Sequence, residues 1–148
     1  MKAIILTDKG TENVINHLVA YGISEIVVFC NGVSMLDKSY YEMNNVGLAI
    51  VNSLTNERTV DKLTNIKGSI DESFFVVYSD ELCFFDIDEV VLKHVEKQTT
   101  ITVMEKNNRL IAALCEAETL DYFAKGISSF EKEIIQRIAQ DGELLILR

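Results

Sequence analysis

The sequence predicts an α/β fold, a three-layer sandwich built on a mostly parallel but mixed sheet. Three observations lead there. Short apolar runs and amphipathic segments alternate along the first half of the chain. The runs are continuous, with no polar residue at every second position, which is the pattern of strands covered on both faces of a parallel sheet. Two later strands are separated only by a turn containing Asn107 and Asn108, a connection that suits an antiparallel hairpin and is too short for a parallel crossover.

The elements follow in order. Residues 2 to 6 and 25 to 30 are apolar strands, and Val14, Ile15, Leu18 and Val19 mark one face of a helix between them. Thr11 is positioned to cap that helix and Gly22 to stop it. Strand, helix, strand at these lengths is a βαβ unit with a right-handed crossover. The pattern repeats as a strand over 47 to 52, a helix over 56 to 70 and a buried strand over 73 to 80. A helix over 86 to 98 places Ile87, Val90, Val91, His94 and Val95 on one face, with acidic residues in its first turn as the helix dipole favours. Strands over 99 to 104 and 109 to 115 form the hairpin. Helices over 117 to 126, ended by Gly126, and 128 to 142, where Ser128 and Glu131 have capping-box spacing, precede a last strand, Glu-Leu-Leu-Ile-Leu.

A chain of 148 residues is expected to form a single domain, 1–148, that buries roughly 68–70% of its unfolded surface. With 48% hydrophobic and 25% charged residues it has a globular composition, and no apolar stretch approaches the roughly 18 residues of a membrane span. The apolar run at the start is too short for a secretory signal, so no membrane association and a cytoplasmic location are expected. Cys30, Cys83 and Cys115 are odd in number and widely spaced, as suits reduced structural thiols. A net charge of −9 argues against nucleic acid as a partner, because such binders need clustered Lys and Arg.

Several strings resemble the sugar-1-phosphate nucleotidyltransferases, GT-A-like enzymes with a Rossmann-like, nucleotide-diphospho-sugar transferase-like fold. MKAIILTDKGT is similar to that family's first strand and glycine-rich phosphate loop, MKAIILAGGxGTRLxPLT. INHLVAYGISEIVVFCNG resembles its following helix and second strand. FFVVYSDELCFFDIDEVVLKH resembles its central strand ending in an aspartate and the next helix, and AETLDYFAKGISSFEKEIIQRIAQDGELLIL its later helices and strand. The resemblance implies a nucleotide or nucleotide sugar at Leu6, Thr7, Lys9, Gly10 and Thr11. It also implies magnesium held by Asp80 at the carboxyl end of a buried strand.

The sequence departs from the family where the chemistry is carried. Thr7-Asp8 replaces the paired glycines, Glu12 stands where an arginine is expected, and the proline-flanked lysines of both later motifs have no counterpart in a chain without proline. No second acidic metal ligand can be matched. Lys9-Gly10-Thr11 reads first as an ordinary strand-to-helix turn with a threonine cap, and Asp80 equally as a turn residue or a retained metal ligand. His94 and His17 read as hydrogen-bonded core or boundary histidines, and Phe74, Phe75, Phe84 and Phe85 as core. The acidic string at 86 to 89 is a helix start.

The expectation is a degenerate member of the family, a non-catalytic nucleotide-binding or interaction module linked to nucleotide-sugar or surface-glycan synthesis. The alternative is a small active nucleotidyltransferase that forms a nucleotide sugar or a nucleotide-activated alcohol. A homodimer is expected in either case, since insertions that would cover sheet faces and edges are missing while apolar positions remain plentiful.

Overall fold

Ala3, Ile4 and Ile5 have no exposed surface, which is why the first strand, β1 (Lys2–Ile5), is an uninterrupted apolar run. The computed structural model describes residues 1–30, 36–53, 57–123 and 129–148. β1 lies in parallel between β2 (Glu25–Cys30) and β4 (Phe74–Val77), with Ile4 opposite Val27 on one side and Val76 on the other. β3 (Gly47–Asn52) continues in parallel beyond β2. On the far side of β4 come β6 (Arg109–Cys115), then β5 (Ile101–Lys106) and β7 (Leu144–Leu147). Among the described residues seven strands run in the order β3-β2-β1-β4-β6-β5-β7, of which β6 alone opposes its neighbours. This is the mostly parallel, mixed sheet that the sequence predicts.

Helices cover both faces. On one, α1 (Thr11–Ala20), α2 (Lys38–Met43) and α4 (Ile87–Lys97) bury Val14, Ile15, Leu18, Tyr41, Ile87 and Val90 against Ala3, Ile5 and Val77. On the other, α3 (Thr59–Ile66) brings Leu63 against Ile4, Phe74 and Val76. A π-helical turn over Phe130–Ile134 and α5 (Ile135–Gln140) complete that layer through Phe130, Ile134 and Ile138. Each such fully buried large apolar side chain contributes about 1.5–3 kcal/mol of transfer free energy.

The connections place the site. From β1 the chain steps outward through α1 to β2 and through α2 to β3, then returns through α3 on the opposite face to β4, on the other side of β1. Successive right-handed crossovers require that change of face. The carboxyl ends of β1 and β4 are therefore a topological switch point, where connections diverge and leave a crevice.

Local differences from the sequence reading have physical causes. The N-cap of α1 is Gly10, in the left-handed conformation with φ 67°, and Thr11 is the first helical residue. Gly22 does stop that helix: its N–H bonds to the Val19 carbonyl at 2.9 Å and that of Ile23 to Leu18 at 3.1 Å, a Schellman arrangement. The strand expected over 73 to 80 ends at Val77, and Asp80–Phe84 is a turn of three-ten helix. The helix expected over 56 to 70 is α3 followed by a three-ten turn over Lys67–Ser69. Residues Ala117–Phe123 coil as three-ten helix, while Gly126 and Ser128 lie outside the described residues. The cap beyond them is Ser129, whose hydroxyl accepts from the Lys132 N–H at 3.1 Å. Val95 is 64% exposed, since the buried arc of α4 is narrower than its apolar pattern. Phe84, expected in the core, is 73% exposed. Among the described residues no helix is long and apolar enough to cross a membrane. Among the described residues no two of the three cysteines are joined in a disulfide, and burial pushes the thiol of Cys115 well up.

Candidate functional site

The loop leaving β1 is closed by its own hydrogen bonds. Leu6 still reaches β4, its N–H bonding to the Val77 carbonyl at 2.8 Å. The Thr7 hydroxyl accepts from the Lys9 N–H at 3.2 Å and donates to the Lys9 carbonyl at 3.1 Å, while Thr11 donates its hydroxyl proton to the Thr7 carbonyl at 3.1 Å. Threonines at 7 and 11 thus lock a five-residue bend, and the Lys9 N–H that a phosphate would seek is already bonded to the Thr7 hydroxyl. The side chains of Asp8, Lys9 and Glu12 are exposed.

Asp80 sits directly against this bend. A Cβ built on Gly10 would lie 2.6 Å from Asp80 Oδ2 and 2.7 Å from Asp80 Cβ, so the absent side chain at Gly10 is the space the aspartate occupies. Leu6, Thr7, Gly10, Thr11 and Asp80 therefore converge at the switch point, and Lys9 projects to solvent at its rim. Ser79 holds Asp80 there by starting the three-ten turn, its hydroxyl accepting from the Glu81 N–H at 3.2 Å.

Electrostatically the crevice is acidic. The phenol of Tyr41, on α2, is pushed up by burial and then by the Glu12 charge, and the thiol of Cys83 by burial and then by Asp80. Burial leads both shifts, and the carboxylates of Glu12 and Asp80 add to them. Among the described residues no group of three or more His, Cys, Asp or Glu side chains converges as a metal site. Asp80 fits magnesium only as one oxygen ligand beside substrate phosphates, which would supply the rest of the shell.

His94 and His17 are the hydrogen-bonded histidines that the sequence predicts, but their partners, and several contacts beside them, were not legible in the pattern. The turn Asp80–Phe84 brings Glu81 to Arg109 at 2.8 Å, and Lys106 lies 3.9 Å over the Phe84 ring, both at the carboxyl edge. At the opposite edge His94 is buried in a polar network: Nδ1 lies 2.7 Å from Thr102 Oγ1 and Nε2 lies 2.7 Å from Glu116 Oε1. His17 bonds through Nε2 to the Phe85 carbonyl at 2.8 Å. That opposite edge also carries a cleft of about 300 Å³ lined by Thr100, Glu118, Asp121, Tyr122 and Glu143, whose three carboxylates disfavour an anionic ligand. A serine two residues before Glu81 was the available sign of the turn; the His94 partners lie too far along the chain to leave one.

No protein-family model matches the sequence, and no curated protein matches it. Solved structures do. The bifunctional IspDF of Campylobacter jejuni superposes with a TM-score of 0.64 at 11% identity over 100% of this chain and 49% of that one, so the present chain spans about half of it. A 4-diphosphocytidyl-2C-methyl-D-erythritol synthase matches with a TM-score of 0.57 at 10% identity, over 99% of this chain and 87% of that one. A protein described as a nucleotide-diphospho-sugar transferase from Desulfovibrio desulfuricans G20 gives 0.57 at 8% identity, over 99% and 79%. Identities this low speak to architecture alone. Strand order, switch point and these superpositions together give the chain the fold seen in nucleotide-diphospho-sugar transferases.

Proposed function

We propose that the chain is a non-catalytic, nucleotidyltransferase-like module that binds a nucleoside or nucleotide at the crevice between the β1 loop and Asp80. The observation that carries this reading is the contact of Asp80 with the bare Cα of Gly10, which keeps a family-like crevice closely packed. Glu12 meanwhile stands where a phosphate-neutralising arginine is expected and Asp8 where a glycine is, and the Lys9 N–H is bonded to Thr7. Transfer of a nucleotidyl group needs positive charge where negative charge develops, and loss of such groups removes several kcal/mol of transition-state stabilisation. Leu6, Thr7, Gly10 and Thr11 then offer backbone groups to base and sugar, and Asp80 recruits magnesium only together with a phosphorylated ligand. A cytoplasmic role beside an active transferase in nucleotide-sugar or surface-glycan synthesis belongs to the same reading.

One experiment tests it. Cytidine, uridine and their triphosphates are titrated with and without magnesium into the protein and Asp80→Ala, and pyrophosphate is assayed with added sugar 1-phosphates. Triphosphate is expected to bind no more than about threefold tighter than nucleoside, with that gain requiring both magnesium and Asp80, and pyrophosphate is expected to stay at background. Tight magnesium-independent triphosphate binding, or pyrophosphate release dependent on both substrates, refutes the reading.

The module is further proposed to be a homodimer, supported by the exposure of Leu92 at 57% and Val95 at 64%, one turn apart on α4. Light scattering over the micromolar range is expected to give twice the chain mass, and a monomer throughout would overturn this.

A further inference from the structure

Among the described strands β7 alone is wholly apolar and yet has no buried residue. Leu144–Leu147 has the pattern of a strand covered on both faces, but all four residues keep some exposure and Ile146 is 39% exposed. β4, with the same pattern, has no exposed surface at any of its four positions. β7 also ends the strand order, so among the described residues nothing pairs with its outer edge. Natural edge strands are shielded by charge, proline or a bulge, and Leu-Leu-Ile-Leu has none of these. The ladder shows which backbone groups are free. The Glu143 carbonyl accepts from the Ile101 N–H at 3.3 Å, and Leu144 is the register partner of Ile101. Alternation along the strand then turns the N–H and C=O of Leu145 and Leu147 toward β5 and those of Leu144 and Ile146 outward. The two ends of the strand also differ in charge. Asp141 and Glu143 precede it, while Arg148 follows it, 70% exposed and 3.6 Å from Glu105.

We propose that β7 is the surface through which a second copy of this chain docks, the two β7 strands pairing antiparallel so that two sheets become one. Charge selects both the partner and the direction. An antiparallel copy brings each Arg148 to the end that carries the other copy's Asp141 and Glu143, whereas a parallel neighbour would set like charges together. Opposed residues of an antiparallel pair share a face, so a twofold axis must pass through one residue of the strand. Centring it on Ile146 lets that residue exchange both N–H···O bonds with its own copy, and pairs Leu144 with Arg148. α4 packs against β5 and β7, so one α4 from each copy, with its exposed Leu92 and Val95, flanks the junction on the same face. The surface rests on the homodimer reading, and nucleoside binding at the carboxyl edge plays no part in it.

Amide hydrogen exchange on the whole chain, run beside light scattering across a dilution series, tests the surface. At concentrations that give twice the chain mass, the Leu144 and Ile146 amides are expected to be protected at least tenfold over the diluted monomer. Those of Leu145 and Leu147, bonded within the chain, should stay protected throughout. Ile146→Lys and Ile146→Pro should both be monomers with the parent's circular dichroism, because the N–H that proline lacks points away from the sheet. Ile146→Cys should cross-link to its own copy under mild oxidation, since a Cα separation of about 5.5 Å is within disulfide reach, and Glu25→Cys on β2 should not. A dimer whose Leu144 and Ile146 amides exchange freely, or one that both Ile146 variants leave intact, overturns the β7 surface and keeps the dimer. Protection of those amides in a monomer means that a different segment covers the edge, and overturns the surface too. A monomer with both amides exchanging freely at every concentration removes the dimer and the surface together.

Discussion

Gly10→Val is expected to lower the free energy of unfolding by about 3 kcal/mol, measured by urea denaturation. Two effects add. A β-branched residue at φ 67° incurs roughly 1–2 kcal/mol of left-handed backbone strain, and forcing atoms into filled space typically incurs about 1–3 kcal/mol more. The filled space is specific: the new Cβ meets Asp80 Oδ2, Cβ and Cγ at 2.6, 2.7 and 3.0 Å. Asp80→Gly deletes all three atoms, so the double variant should recover about 1–2 kcal/mol, a coupling that a double-mutant cycle isolates. Gly22 supplies the comparison, since it has φ 88° with nothing within 4 Å of an added Cβ. Gly22→Val should show the backbone strain without the coupling. If Gly10→Val costs no more than Gly22→Val, or Asp80→Gly rescues neither, the crevice is not packed as described.

The strands were legible because their apolar residues are buried on both faces of the sheet. β1, β2 and β4 are covered on both faces, and a strand in that position has no use for a polar residue, so the runs appear in the sequence without a partner being known. The convergence of the β1 loop and Asp80 was legible at one remove, since a switch point places the carboxyl ends of such strands together whatever the side chains. α2 was not legible: of Lys-Ser-Tyr-Tyr-Glu-Met only Tyr41 is buried, which leaves no helical stripe. Nor was the distinction between Val90, buried, and Val95, exposed, because the apolar pattern of α4 does not say how wide an arc the sheet covers. Hairpin register makes Lys106 and Arg109 neighbours, and the three-ten turn gives them Glu81 and Phe84 to face. The Asn107-Asn108 turn already implies that Lys106 and Arg109 are neighbours; what local periodicity does not encode is the approach of the distant segment that carries Glu81 and Phe84.

His94→Ala is expected to remove about 3 kcal/mol of stability and to leave ligand binding at the carboxyl edge intact. His94 is 3% exposed, and both ring nitrogens are engaged. A proton on Nε2 is donated to Glu116 Oε1, and Nδ1 faces the Thr102 hydroxyl. Thr99 lies 3.2 Å from Nδ1 and 2.9 Å from the Thr102 hydroxyl, and Ser73 donates to the second Glu116 oxygen at 2.8 Å. The network therefore ties α4 to β5, to the end of β6 and to the residue before β4. Losing a hydrogen bond to a charged acceptor removes about 1.5–3 kcal/mol, and emptying a buried ring site adds a cavity. Glu116 is 39% exposed and can be rehydrated, which holds the total near the lower end of that sum. Thr102→Val keeps the volume and deletes one hydroxyl, so it should cost about 1 kcal/mol, and His94→Gln should fall between the two. Ser73 and Glu116 lie at the amino end of β4 while Asp80 follows its carboxyl end, so titrations of nucleoside and triphosphate into folded His94→Ala should match the parent protein. A loss of stability below 1 kcal/mol would show the network to be incidental, and a tenfold change in either affinity would make His94 a positioning residue for the distant crevice instead of a tie within the core.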